Sequence, residues 1–369
     1  MKFTCSKKDL LSVLLQLSRA IAVKPQTQVL GGIYLSVKDG ELEIHTNNYA
    51  LGMSAKIPVL MQDAGQIVAI GKKFIDIVKA MPSDAISIFH NEEEGYLEVS
   101  SGRSKYSIPT MNADDFPKVS RKDAQSHFKI KSIVLKNLIK QTVFSCSTDE
   151  SHPIYMGCLF ETKDDDITVV ATNMHRLAIV RDKLYENTDT MKFIVPSDAL
   201  RSISEMLSDD EDDLIDIDYT GKGVAFTIDK VFVTARLIEG NFPDYNRVIP
   251  QSSESIARVN VTEMREAVER VAIISKEDAN KKITCNFTNE GLKISAQTVE
   301  FGGVEDTIDT ELEGPELKIS FNYTYIADVL KILKSQIFKI AMKGQYDPVD
   351  IREGDGSENF IYVVTPVRG

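Results

Sequence analysis

GIYLSVKDGELEIHTNN (residues 32–48), GCLFETKDDDITVVATN (157–173) and ITCNFTNEGLKISAQT (283–298) are three versions of one pattern. In each, apolar and polar residues alternate with period two on both sides of a short polar stretch. Two half-buried strands around a turn read this way. Asp39-Gly40 in the first version suits a tight hairpin turn, because both residues tolerate positive φ. Little of the three stretches matches letter for letter; what recurs is the order of elements around them.

An amphipathic helix precedes each pair: SKKDLLSVLLQLSRAIA from Ser6, KSIVLKNLIKQTVFS from Lys131 and VTEMREAVERVAIIS from Val261, opening 125 and 130 residues apart. In the first, Leu10, Leu14 and Leu17 share one face, with Val13 and Ile21 beside them. A second strand and helix follow each pair: IVAIGKKFIDIVKAM, FIVPSDALRSISEML and KISFNYTYIADVLKIL, with Ser197 and Asn322 as N-cap candidates. Further strands close each unit. The chain is therefore an α+β protein of three repeats, each two helices plus antiparallel sheet. The polar stretches around 118–124 and 251–257 place the domains at 1–124, 125–254 and 255–369.

Hydrophobic residues make up 43% of the chain and charged residues 27%, a globular composition. No apolar run reaches the ~18 residues a membrane span needs, and the first residues lack a signal-peptide pattern, so a cytoplasmic protein with no membrane partner is expected. Cys5, Cys146, Cys158 and Cys285 form no C-x-x-C pair and are far apart in sequence; reduced buried thiols are expected, with no metal and no disulfide framework. Gly221-Lys222-Gly223 lacks the residues that make a phosphate loop, and Thr227 stands where a calcium loop needs its bidentate Glu. The run Ser208–Asp213 is contiguous and reads as a solvated loop. His175-Arg176 has no nucleophile motif near it, so no catalytic residue is assigned and no cofactor is expected.

Formal net charge is −12, which taken alone argues against nucleic acid. The six helix windows, however, carry a net +6, concentrated in the first two repeats. A basic set of helices in an acidic body suits loose, sequence-independent contact with DNA phosphates.

MKFT at the start, SGRSKYSI (101–108), ADDFP (113–117), ATNMHRLA (171–178), FPDYNRVIP (242–250) and YVVTPVRG (362–369) occur in order on this threefold repeat, and the chain resembles the bacterial DNA sliding clamps, the β subunits of DNA polymerase III. The resemblance spans the whole sequence. It implies a non-catalytic processivity factor of replication, a homodimer joined head to tail as a six-domain ring that encircles double-stranded DNA. The implied partners are the polymerase α subunit, the clamp loader and other proteins carrying a clamp-binding motif.

The same resemblance implies site residues. A peptide-binding pocket would be formed by Thr172, Met174, His175, Arg176 and Leu177, by Pro243, Arg247 and Val248, by Asn322, Tyr325 and Tyr346, and by Val363, Val364, Pro366, Val367 and Arg368. Lys24, Lys72, Lys73, Lys136 and Lys140 would face DNA. At the dimer interface, Lys73, Phe74, Tyr106 and Ile108 would meet Ile273 and Ile274. Three departures from the family pattern implicate peptide preference: Met174 for Gly, Thr365 for Met, and Gly369 for an apolar last residue.

Overall fold

The computed structural model describes residues 1–354 and 357–368. Six α-helices occur among them, two per repeat as the sequence pattern requires: α1 (Lys7–Leu17), α2 (Gly71–Ala80), α3 (Ser132–Lys140), α4 (Ser197–Ser204), α5 (Val261–Ser275) and α6 (Tyr323–Leu330). Side chains placed before the helices satisfy their first free N–H groups. Ser6 Oγ accepts from the Asp9 N–H at 3.3 Å, Asn260 Oδ1 from Thr262 and Glu263 at 2.9 and 3.1 Å, and Asn322 Oδ1 from Thr324 at 2.9 Å. Each such cap stabilises its helix by about 1 kcal/mol. Ser197 is the first residue of α4 rather than its cap.

Helical spacing decides what is buried. Leu10, Leu14 and Leu17 of α1 are fully buried, and so is Phe74 of α2; these two helices pack on each other in the first repeat, as α5 and α6 do in the third. Full burial of such side chains is worth about 1.5–3 kcal/mol each.

The chain separates into two compact units rather than three. The first comprises Met1–Ile133, Leu184–Thr188 and Asp198–Leu237; the second comprises Val134–Lys183, Asp189–Ser197 and Ile238–Gly369. Backbone pairing explains the division. In the first unit, strand Val231–Arg236 of the central repeat pairs with strand Leu51–Pro58 of the first repeat, Val233 opposite Met53, so one sheet of thirteen strands runs through both. In the second unit, strand Arg176–Pro196 of the central repeat pairs with Phe360–Val364 of the third, Ala178 opposite Tyr362, within a seven-stranded sheet. A four-stranded sheet, Gly302–Ile308, Gly291–Thr298, Lys282–Thr288 and Leu317–Asn322, completes that unit. The middle repeat is thus shared.

The hairpins follow their sequences. Asp39 (φ 52°) and Gly40 (φ 79°) both take the left-handed conformation between strands Gly32–Lys38 and Glu41–Asn47, the geometry that matches strand twist. Gly221 (φ 79°) turns the chain before strand Gly223–Ile228. Residues 157–172 form one continuous extended segment instead of two named strands. They still fold back: Leu159 and Val170 share a core cluster, whereas eleven extended residues would separate them by about 36 Å. Asp164, at φ 55°, lies between them.

Candidate functional site

The second unit holds a cavity of about 290 Å³, and the chain builds it in three steps. Alternation first places Leu159, Val170, Leu177, Ile179, Ile361 and Val363 on one face of the seven-stranded sheet as an apolar floor. Segment 238–249 then crosses that floor, with Ile238, Phe242, Tyr245 and Ile249 packed down on it. The turn between Thr172 and Arg176, with the tail after Val364, closes the remaining side.

Local hydrogen bonds hold the turn. Asn173 Oδ1 accepts from the N–H groups of His175 and Arg176 at 3.1 and 3.0 Å, and Thr172 Oγ1 both accepts from Met174 N–H at 3.1 Å and donates to the Arg176 carbonyl at 2.7 Å. The tail is pinned to it: the Thr365 N–H and Oγ1 donate to the His175 carbonyl at 2.9 and 3.0 Å, and the Val367 N–H donates to the Ser320 carbonyl at 2.8 Å.

Arg176 is the charged centre of the wall. Its guanidinium is only 9% exposed, donates to Asp328 at 2.8 Å and to the Phe144 carbonyl, and lies 4.7 Å from the Tyr325 ring centroid. Burying a cation this far requires such partners. Tyr325 in turn stacks on His175, centroids 6.4 Å apart. Across the cavity, the Tyr245 hydroxyl donates to Glu161 at 2.5 Å; burial and that carboxylate push the phenol above its ordinary range, so it remains a donor. Asn246 and Arg247 hold the Asp244 carboxyl at the rim below the usual carboxylate range. The arrangement is an apolar groove with a polar rim, at the lower end of the roughly 300–1,000 Å³ of small-ligand pockets.

Eight residues expected from the sequence line the cavity together: Thr172, Met174, His175, Arg176, Leu177, Pro243, Val248 and Val363. Others are near it without lining it. Tyr325 supports His175 and Arg176 from behind, Asn322 caps α6, and Val364 is fully buried in the sheet. Arg247 turns to Asp244 at 3.0 Å, and Tyr346, Pro366, Val367 and Arg368 are not part of the lining. Gly369 lies outside the described residues. Sequence reasoning missed Tyr155, Phe242, Asp244, Tyr245 and Pro348, while Thr365, noted there as a departure bearing on peptide preference, also lines the cavity. Phe242, Asp244 and Tyr245 sit inside a segment already quoted for its resemblance; Tyr155 and Pro348 carry no motif.

Met174 has φ 72°, a left-handed conformation that costs a non-glycine residue about 1–2 kcal/mol. Met174→Gly is therefore expected to raise unfolding stability by about 1 kcal/mol, less the extra freedom glycine gives the unfolded chain. A denaturant midpoint that falls on this substitution would show that the methionine side chain contributes more by packing than the backbone loses by strain.

The remaining sequence-derived sites fall elsewhere. Lys24, Lys72, Lys73 and Lys140 are exposed and Lys136 half-buried, with Lys136 and Lys140 one turn apart on α3. Tyr106 and Ile273 are exposed and Ile274 is half-buried. Phe74 and Ile108 are buried within the first unit, 0% and 7% exposed. Phe74 lies on the face of α2 that carries Ile75, Ile77 and Val78, all buried, so Lys73 and Tyr106 are left to form any outer surface there. No helix among the described residues is long and apolar enough to cross a membrane.

Three family models match the chain in order: the DNA polymerase III beta subunit N-terminal domain over residues 1–120, its central domain over 129–244 and its C-terminal domain over 246–368. The beta sliding clamps of Staphylococcus epidermidis and Staphylococcus aureus are each 28% identical over 380 residues, covering 100% of this chain and 99% of their own. Among solved structures, the DNA polymerase sliding clamp from Bacillus subtilis matches with a TM-score of 0.94 at 28% identity, over 100% of this chain and 99% of that one. The sliding clamp from Pseudomonas aeruginosa bound to griselimycin matches with a TM-score of 0.92 at 27% identity, over 100% of both chains.

Proposed function

We infer, since the chain belongs to the DNA polymerase III beta subunit family, that it is a processivity factor of DNA replication. It is a non-catalytic sliding clamp: two copies form a ring that encircles duplex DNA and tethers the polymerase. The observation that carries this reading is the in-order match of all three domains. The repeat boundaries are proposed at 1–124, 125–254 and 255–369, and the site of action at the cytoplasmic chromosome. The cavity walled by Thr172–Leu177, Phe242–Val248 and Thr365 is the proposed seat for the peptide motifs of the polymerase and the clamp loader. Its apolar floor, polar rim and pinned tail support that assignment.

Topological binding gives the test. Once a loader has closed the protein on circular DNA it should stay bound, and it should be lost when the DNA is linearised. Equal retention on circular and linear DNA would reject encirclement.

The proposed DNA contacts give a second test. Lys24→Ala, Lys136→Ala and Lys140→Ala together are expected to weaken loading and to flatten its log–log dependence on salt, by about 0.9 per lost phosphate contact. An unchanged slope would mean that these lysines touch no phosphate.

A further inference from the structure

Two of the four cysteines, far from neighbours in sequence, meet in space. The Sγ atoms of Cys146 and Cys158 lie 3.5 Å apart, too far for a bond between them, and both residues are buried. A disulfide needs about 2.05 Å, so closing the pair requires a shift of about 1.5 Å. The positions joined are not neutral for the cavity. Cys146 ends the short 3-10 turn Val143–Ser145, whose Phe144 carbonyl accepts from the Arg176 guanidinium. The next residue, Ser147, donates its N–H to the carbonyl of Tyr155 at 2.8 Å, and Tyr155 lines the cavity. The loop between the two sulfurs therefore carries one wall residue, and its first end holds another.

We propose that Cys146 and Cys158 are an oxidation site, closed to a disulfide by a hydroperoxide, and that closure weakens the cavity's grip on its peptide. The second half rests on the peptide-pocket reading given above; the first does not. Cys146, the less buried of the two, attacks the peroxide oxygen as its thiolate. It becomes a sulfenic acid, and the O–O bond breaks with release of the first water or alcohol. The Cys158 sulfur then attacks the sulfenic sulfur, the S–S bond forms, the S–O bond breaks and a water leaves. Two thiols lose two protons and two electrons, and the peroxide is reduced. Drawing Cys146 toward Cys158 pulls the 3-10 turn, and with it the Phe144 carbonyl, out of register with Arg176.

The test uses the intact dimer and hydrogen peroxide. After exposure and alkylation under denaturing conditions, two of the four thiols should be protected, with peptide mapping linking Cys146 to Cys158. Affinity for a short apolar–aromatic peptide should fall by at least ~10-fold, the scale of one displaced anchor contact, and should return on reduction. Cys146→Ser and Cys158→Ser should each bind peptide as the reduced protein does and ignore peroxide. Four reactive thiols after exposure, or a mapped disulfide with unchanged peptide affinity, would overturn the proposal. Failure of the reduced protein to bind any such peptide would instead reject the pocket assignment, while the mapped disulfide still judged the oxidation site.

Discussion

Removal of Val364–Gly369 is expected to abolish binding of a polymerase-type peptide while the dimer persists. Val364 is fully buried and pairs with Arg176 on one side and Val349 on the other. Beyond it, Thr365 lines the cavity and ties two hydrogen bonds to the His175 carbonyl, and Val367 ties the tail to Ser320. The truncation therefore removes part of one wall and releases the turn that forms another. Three hydrogen bonds at about 1 kcal/mol each and a buried valine exceed the ~2.7 kcal/mol that corresponds to a hundredfold loss of affinity. Thr365→Ala, which keeps the strand but removes one of the bonds to His175, should show a smaller loss of the same sign. Unchanged peptide affinity after the truncation would place the partner site elsewhere, and the dimer mass serves as the folding control.

The other large effect concerns assembly. Ile273→Ala combined with Ile274→Ala is expected to convert the dimer to a 41.2 kDa monomer at nanomolar concentration. On α5 the burial pattern of Met264, Ala267, Val268 and Val271 accounts for the helix's own packing and leaves Ile273 62% exposed, on a helix whose other exposed positions are largely charged. An isoleucine left uncovered in such a setting is suited to a second copy of the chain. If both side chains are buried on assembly, each truncation costs about 2–5 kcal/mol, counted twice in a two-fold dimer. Sedimentation at nanomolar concentration checks it, and a mass still twice the protomer would reject this contact. The same variant should lose its retention on circular DNA, because a ring that opens cannot encircle.

The sequence made the elements legible because each depends on a period. Three hairpins, six helices and the cap at Asn322 follow from alternation, helical spacing and short polar side chains, whereas Ser197, the other cap candidate, is the first residue of its helix. What stayed hidden depends on backbone pairing between distant strands. Nothing in VFVTAR names LGMSAKIP as its neighbour, because ladder hydrogen bonds are made by groups common to all residues. The same limit explains the site. Resemblance marked the turn at Thr172–Leu177 and the tail, but Tyr155 and Pro348 reach the cavity only through the fold. Phe74 and Ile108 sit in segments that resemblance assigned to an interface, and the side-chain directions that bury them within the protomer are set by the fold.

The shared middle repeat bears on how such a chain can be rebuilt. Its strand Val231–Arg236 completes a ladder begun by the first repeat, and its strand Arg176–Pro196 completes one with the third. A cassette exchange at residues 125 and 254 would have to match two foreign registers at once. A single-residue slip in either would turn inward-facing side chains to water. A half exchanged alone would expose a raw strand edge, open to pairing between copies in the test tube. Chimeras joined inside the central repeat, along the division that the two compact units already mark, keep both ladders with their native partners.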